Sequence, residues 1–169
     1  MIGPILFFVF AVAAIVGALG MLISRNPVSS ALWLILTLFC IAGLYLTLNA
    51  TFIAVIQVLV YAGAIMVLFL FVIMLLNLAE LPRARDVEWK KGLAFGAGGG
   101  LAFTLIYGIA AGMDALPEPV TVAAAAENGS ALNLATVLFT QYAMPLEVIG
   151  LLLLVATIGA VMLAKRRFV

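Results

Sequence analysis

Residues 52–78 read FIAVIQVLVYAGAIMVLFLFVIMLLNL, and this run settles the fold class. It contains no charge and exceeds the roughly 20 apolar residues needed to cross about 30 Å of hydrocarbon. Lipid offers backbone N–H and C=O groups no partners except one another, so the run is expected to cross as a helix. Gln57, Tyr61 and Gly63 stand out within it. On an α-helix Gln57 and Tyr61, four apart, share a face about 6 Å apart along the axis. An amide and a phenol in hydrocarbon need partners that one helix cannot supply, so that face is expected to look toward protein or water. Two readings stand: an interhelical hydrogen bond that holds the bundle together, and a role in proton or water conduction. Gly63, between Ala62 and Ala64, weakens the helix and permits either close packing by a neighbour or a slip into a π-bulge.

Four other apolar runs, at about 3–23, 28–48, 92–113 and 146–164, the last with a single acid, Glu147, complete an all-α polytopic membrane protein of five transmembrane helices. Residues 1–169 form a single membrane domain, with one extended external loop at about 114–145. Composition agrees: 67% hydrophobic residues, 9% charged residues and a mean hydropathy of +1.37 leave too few charges to clothe a water-facing surface. Soluble enzymes and nucleic-acid binders are excluded. The first run has no basic residue ahead of it and is too long for a signal-peptide core, so it reads as a retained span. Ser24-Arg25-Asn26-Pro27 marks a turn, and Asn49-Ala50-Thr51 is so short that spans two and three must be antiparallel neighbours.

Orientation follows from the loops, because basic residues resist translocation. Arg25 lies in the first loop, Arg83, Arg85, Lys90 and Lys91 in the third, and Lys165, Arg166 and Arg167 in the tail; loops two and four hold none of the eight. The amino terminus is therefore expected outside and the carboxyl terminus in the cytoplasm. Trp89 near the inner boundary and Tyr45, Tyr107 and Tyr142 near the outer one fit an aromatic belt. The external loop opens on Pro117-Glu118-Pro119, passes through an alanine run, and ends in residues 131–143, where Leu132, Leu134, Val137, Leu138 and Phe139 predict a short interfacial helix. Asn128-Gly129-Ser130 reads as a plain turn, or alternatively as a glycosylation acceptor.

Chemistry is limited by what is missing. The chain has no histidine and one cysteine, Cys40, which removes the usual haem ligand, the usual near-neutral proton shuttle, an iron–sulfur cluster and an internal disulfide. No metal or cofactor site is expected. Ser29, Ser30, Thr37 and Thr47 are expected to bond to their own helix backbone. Span four carries Gly92, Gly96, Gly100, Thr104, Gly108 and Gly112 at a spacing of four, which predicts a close helix interface, with a hinge at Gly98-Gly99-Gly100 as the alternative. Glu147 follows Pro145 at the start of span five; it is either a carboxylate stabilised by the helix dipole or part of a conduction path. The interiors of spans one to four hold no charge, whereas a stand-alone pump needs charged groups near mid-membrane. The chain reads as one subunit of a larger membrane complex.

At this point Val58-Leu59-Val60-Tyr61-Ala62-Gly63-Ala64-Ile65-Met66-Val67-Leu68-Phe69-Leu70-Phe71-Val72-Ile73-Met74-Leu75-Leu76-Asn77 closely resembles the third helix of the subunit J family of proton-pumping NADH-quinone oxidoreductase, respiratory complex I. Arg25-Asn26-Pro27-Val28 with Ala31-Leu32 resembles the family's first loop; Leu138-Phe139-Thr140, Pro145-Leu146-Glu147-Val148 and residues 151–164 resemble its approach to helix five and that helix. The resemblance implies a non-catalytic membrane-arm subunit in the cell inner (plasma) membrane, between the quinone-reducing region and the antiporter-like subunits, with subunits A, H, K and N among its partners. It implies that NAD, FMN, iron–sulfur clusters and quinone belong to the parent complex and none to this chain. It further implies a π-bulge at Tyr61-Ala62-Gly63 whose α/π rearrangement gates a water path, with Val67 and Phe69 in the gate-lining segment. Some relatives carry glutamate where this chain has Gln57, so no proton is assigned there. The alternative is a structural subunit of a related cation antiporter or membrane hydrogenase complex.

Overall fold

The computed structural model describes residues 2–76, 88–112 and 120–165. The turn at Pro117-Glu118-Pro119, the third-loop residues Arg83 and Arg85, and the tail residues Arg166 and Arg167 lie outside the described residues.

Helix α1 (Ile2–Ile23) and α2 (Pro27–Thr47) are separated by the expected turn. Asn26 Oδ1 accepts from Val28 N–H at 2.9 Å, and Pro27 occupies the first helical position, where a missing N–H costs nothing. The two helices pack as an antiparallel pair. Gly20 meets the Trp33 ring, Gly17 meets Thr37, and Gly43 meets the Phe10 ring, so contact partners climb on one helix as they descend on the other. Each glycine is a notch for a large or branched neighbour, the close approach by which helices associate in lipid. Ser30 Oγ donates to the Met21 carbonyl oxygen of α1 at 2.9 Å. That corrects the expectation of a bond within its own helix; Thr37 and Thr47 do bond within α2, to Trp33 and Leu44 carbonyls.

Span three is continuous from Thr51 to Leu75 but changes character twice: α3 (Thr51–Ile56), a π segment (Gln57–Ile65) and α4 (Met66–Leu75). All three pieces pack along α2. Besides Gly17 and Gly43, the buried residues among those described are Ala31, Thr37, Cys40 and Ala42 of α2 with Ala54, Gln57, Ala62 and Met66 of span three, mostly small side chains between closely spaced helices.

Helix α5 (Glu88–Ala111) forms as expected, but Gly92, Gly96, Gly98, Gly99, Gly100 and Gly108 face open space, and α5 has no substantial packing on the other described helices. The small-residue stripe therefore has no partner within the described chain. The alanine run is a helix, α6 (Val122–Asn128), capped by Thr121 Oγ1, which accepts from Ala124 N–H at 3.4 Å. Alanine's high helix propensity accounts for it. The predicted interfacial helix is α7 (Ala131–Thr140), capped by Ser130, and α8 (Ala143–Ala164) follows and packs on α7. Among the described residues four helical runs, Ile2–Ile23, Pro27–Thr47, Thr51–Leu75 and Ala143–Ala164, are long and apolar enough to cross a membrane; the apolar part of α5, Gly96–Ala111, is shorter.

Candidate functional site

In the π segment the N–H groups reach back five residues instead of four, as where Met66 N–H bonds the Tyr61 carbonyl. The extra residue per turn crowds carbonyl oxygens against positions five later. A Cβ added at Gly63 would meet the Val58 carbonyl oxygen at 3.3 Å, tighter than ordinary contact. Glycine at 63 therefore leaves room at a point where a Cβ would press on the Val58 carbonyl oxygen and ask it to give by a few tenths of an ångström.

The π segment also decides which side chains face α2. The buried positions of span three are Ala54 (3% exposed), Gln57 (8%), Ala62 (6%) and Met66 (5%). Their steps are three, five and four, and the step of five is the one that crosses the π segment. Tyr61, one residue short of that step, is 49% exposed. Gln57 and Tyr61 thus do not share a face. The four-residue spacing that joins them on an α-helix fails because π geometry advances the face by one residue, and Ala62 takes the place beside Gln57. Val67 and Phe69 are similarly turned away from α2, at 49% and 48% exposed.

Glu147 is the fifth residue of α8, two residues beyond the first-turn position expected for it, because the helix begins at Ala143 and takes Pro145 inside its first turn. Its side chain is exposed, and α8 makes no substantial contact with span three among the described residues. The two polar candidates, Gln57 and Glu147, are not brought together. Near the Asn49-Ala50 turn, along the α2–span three seam, lies an apolar groove of about 360 Å³, lined by Ala42, Leu46, Ala54, Val55, Val58 and Leu59.

Sequence reasoning missed the corner at Gly129, where the segment between α6 and α7 touches the start of span three: its carbonyl oxygen accepts from Phe52 N–H at 3.3 Å. The signal for a special backbone there was Asn49, a residue type that tolerates the left-handed region it occupies at φ 60°. Nothing in the sequence pointed to its partner, nearly eighty residues away.

A family model described as NADH-ubiquinone/plastoquinone oxidoreductase chain 6 matches residues 17–163. NADH-quinone oxidoreductase subunit J of Rhodobacter capsulatus is 39% identical over 168 residues, covering 95% of this chain and 80% of the relative. NAD(P)H-quinone oxidoreductase subunit 6, chloroplastic, of Physcomitrium patens is 35% identical, with 96% and 84% covered. Subunit J of Rickettsia bellii is 31% identical, with 97% and 81% covered.

Proposed function

This chain belongs to the NADH-ubiquinone/plastoquinone oxidoreductase chain 6 family and is a membrane subunit of an NADH-quinone oxidoreductase; from that premise we propose that its third span couples quinone reduction to proton translocation. The observation that carries the reading is the π segment Gln57–Ile65. A π turn is a register that the same residues leave by losing one residue per turn, which makes the segment a two-state element. In the π register Ala62 faces α2. In an α register Tyr61 replaces it beside Gln57, so a phenol and an amide line the seam where a methyl group stood. That exchange opens or closes a polar path through the region of Gln57, Tyr61, Ala62, Gly63, Val67 and Phe69. Glu147, exposed on α8, is available to a neighbouring subunit rather than to this seam.

The chain takes part as a non-catalytic subunit. NAD, FMN, the clusters and the quinone are held by other subunits, as are the carboxylates that titrate. Subunits A, H, K and N are the proposed neighbours, and the open glycine stripe of α5 supports a helix from one of them packing there.

We also read the chain as five spans with the amino terminus outside, in the bacterial inner membrane. The Gly129 contact supports this topology. It puts the loop before span three and the loop before α8 at one end of the molecule. Span three carries the chain away from that end, so the stretch containing α5 must bring it back. The uncharged part of α5, residues 92–111, is about 30 Å long, which matches about 30 Å of hydrocarbon. Both joined loops lack basic residues, which puts them outside.

Membership in the complex is tested by tagging Val169, solubilising membranes in mild detergent and staining a native gel for NADH dehydrogenase. The tag is expected in a large, active band. Migration with antiporter-like proteins and no dehydrogenase stain would remove the redox assignment. Tyr61→Phe tests the phenol: NADH-driven quinone reduction should fall roughly five-fold, the scale of one ordinary hydrogen bond. Full activity would reduce Tyr61 to a packing role.

A further inference from the structure

Span three is held at its outer end by a residue far away in the chain. Its helix starts at Thr51 behind Ala50, which offers no side-chain cap. The first N–H groups of a helix have no carbonyl one turn earlier to bond. The first bond within the helix runs from Ala54 N–H to the Ala50 carbonyl at 3.0 Å. Gly129 supplies part of what is missing: its carbonyl oxygen accepts from Phe52 N–H at 3.3 Å and from Thr51 Oγ1 at 3.4 Å. The approach requires glycine. A Cβ at position 129 would overlap the Asn49 carbonyl oxygen and come within 2.9 Å of Ala50 Cα, backbone atoms that no rotamer change can move. The corner that presents this carbonyl is itself braced, with Gly129 N–H bonded to the Ala125 carbonyl at 2.9 Å and Ser130 Oγ to the Glu127 carbonyl at 2.7 Å.

We propose that Gly129 is the helix cap of span three, delivered from the external α6–α7 corner, and that it makes the outer half of the span the stationary half of the gate. The inference rests on the gate reading above. With the start of the span pinned and Ala54 and Gln57 held against α2, loss of the extra π residue cannot be taken up above Gln57. Everything below it turns by one residue, about 100°. The side chains facing α2 then change from Ala62 and Met66 to Tyr61, Ile65 and Phe69. Phe69, now 48% exposed, is carried into the seam, while Leu70 and Ile73, now half-buried, leave it. The external segment thereby acts on a gate it does not touch.

Hydrogen–deuterium exchange on the intact complex in nanodiscs, at rest and during NADH–quinone turnover, tests this. At rest, Gly129→Val should speed exchange in peptides covering 50–56 roughly five-fold, the effect of losing a cap. Gly129→Ala, which introduces the same Cβ with less bulk, serves if the valine variant does not assemble. In the unaltered complex, turnover should change exchange in 62–76 and leave 50–56 at its resting rate. Wild-type exchange of 50–56 in both variants would overturn the cap. Equal turnover-linked change in both halves would overturn the stationary outer half while leaving the gate standing. No turnover-linked change in either half would remove the gate and the division into halves with it.

Discussion

Gly63→Val is expected to lower NADH-driven quinone reduction and the coupled proton translocation roughly ten-fold, the effect of about 1.4 kcal/mol on a two-state equilibrium. NADH oxidation by ferricyanide should stay at the wild-type rate, since that reaction bypasses the membrane arm. The cause is local. A Cβ at 63 stands 3.3 Å from the Val58 carbonyl oxygen in the π register, and valine adds two branches to it. In the α register the Val58 carbonyl oxygen no longer lies against position 63, so this contact is absent there. The variant should therefore rest with Tyr61 rather than Ala62 against α2. Ala64→Val is the control: position 64 already has a Cβ, so the change adds bulk next door without the new contact with Val58. If both variants lose activity equally, bulk facing a neighbouring subunit is responsible and the register argument fails. If Gly63→Val pumps normally, the gate is not here.

The second large effect is expected at Gly17, where α1 and α2 are closest. Gly17 is buried, and a Cβ on it would lie 2.5 Å from Thr37 Oγ1. Gly17→Leu should cost about 1–3 kcal/mol or more, the range for overpacking a tight contact, and should separate the hairpin on which span three rests. The readout is the amount of assembled complex on a native gel, which should fall to a small fraction of wild type. A double-mutant cycle makes the contact itself testable. Gly17→Ala alone should reduce assembly, and Gly17→Ala with Thr37→Ala should recover it, since the obstructing atom is the threonine hydroxyl while the next nearest atoms, Thr37 N and the Trp33 carbonyl oxygen, stand at 3.5 Å. A double variant no better than the single one would place the fault outside the α1–α2 seam.

Both sites are glycines, and they differ in how visible they were. Gly63 announces itself inside a long apolar run next to a tyrosine, because a helix-weakening residue in a span is an oddity in one dimension. Gly17, Gly20 and Gly43 follow no regular spacing of four, since each answers a large or branched side chain on the other helix. The regular stripe in α5, by contrast, meets nothing in the described chain. Periodicity reveals a smooth face on one helix; it does not reveal which helix, or which subunit, that face meets.

The same limit separates the rest of what could be read. Hydrocarbon thickness and the cost of burying charge act on consecutive residues, so chain order by itself determined the helical membrane class, the breaks at Asn26-Pro27 and Asn49-Ala50, and the family to which span three points. Only the tertiary structure decided which side chains share a face and which loops meet. One added residue per turn puts Ala62 rather than Tyr61 beside Gln57, and no α-helical spacing rule anticipates it. The Gly129 carbonyl accepts from the Thr51 hydroxyl across a separation of 78 residues and from the neighbouring Phe52 N–H, the second a bond made of backbone atoms that carry no mark of residue type. Backbone hydrogen bonds carry almost no signature of residue type, so their long-range pairing is legible only once the chain has folded.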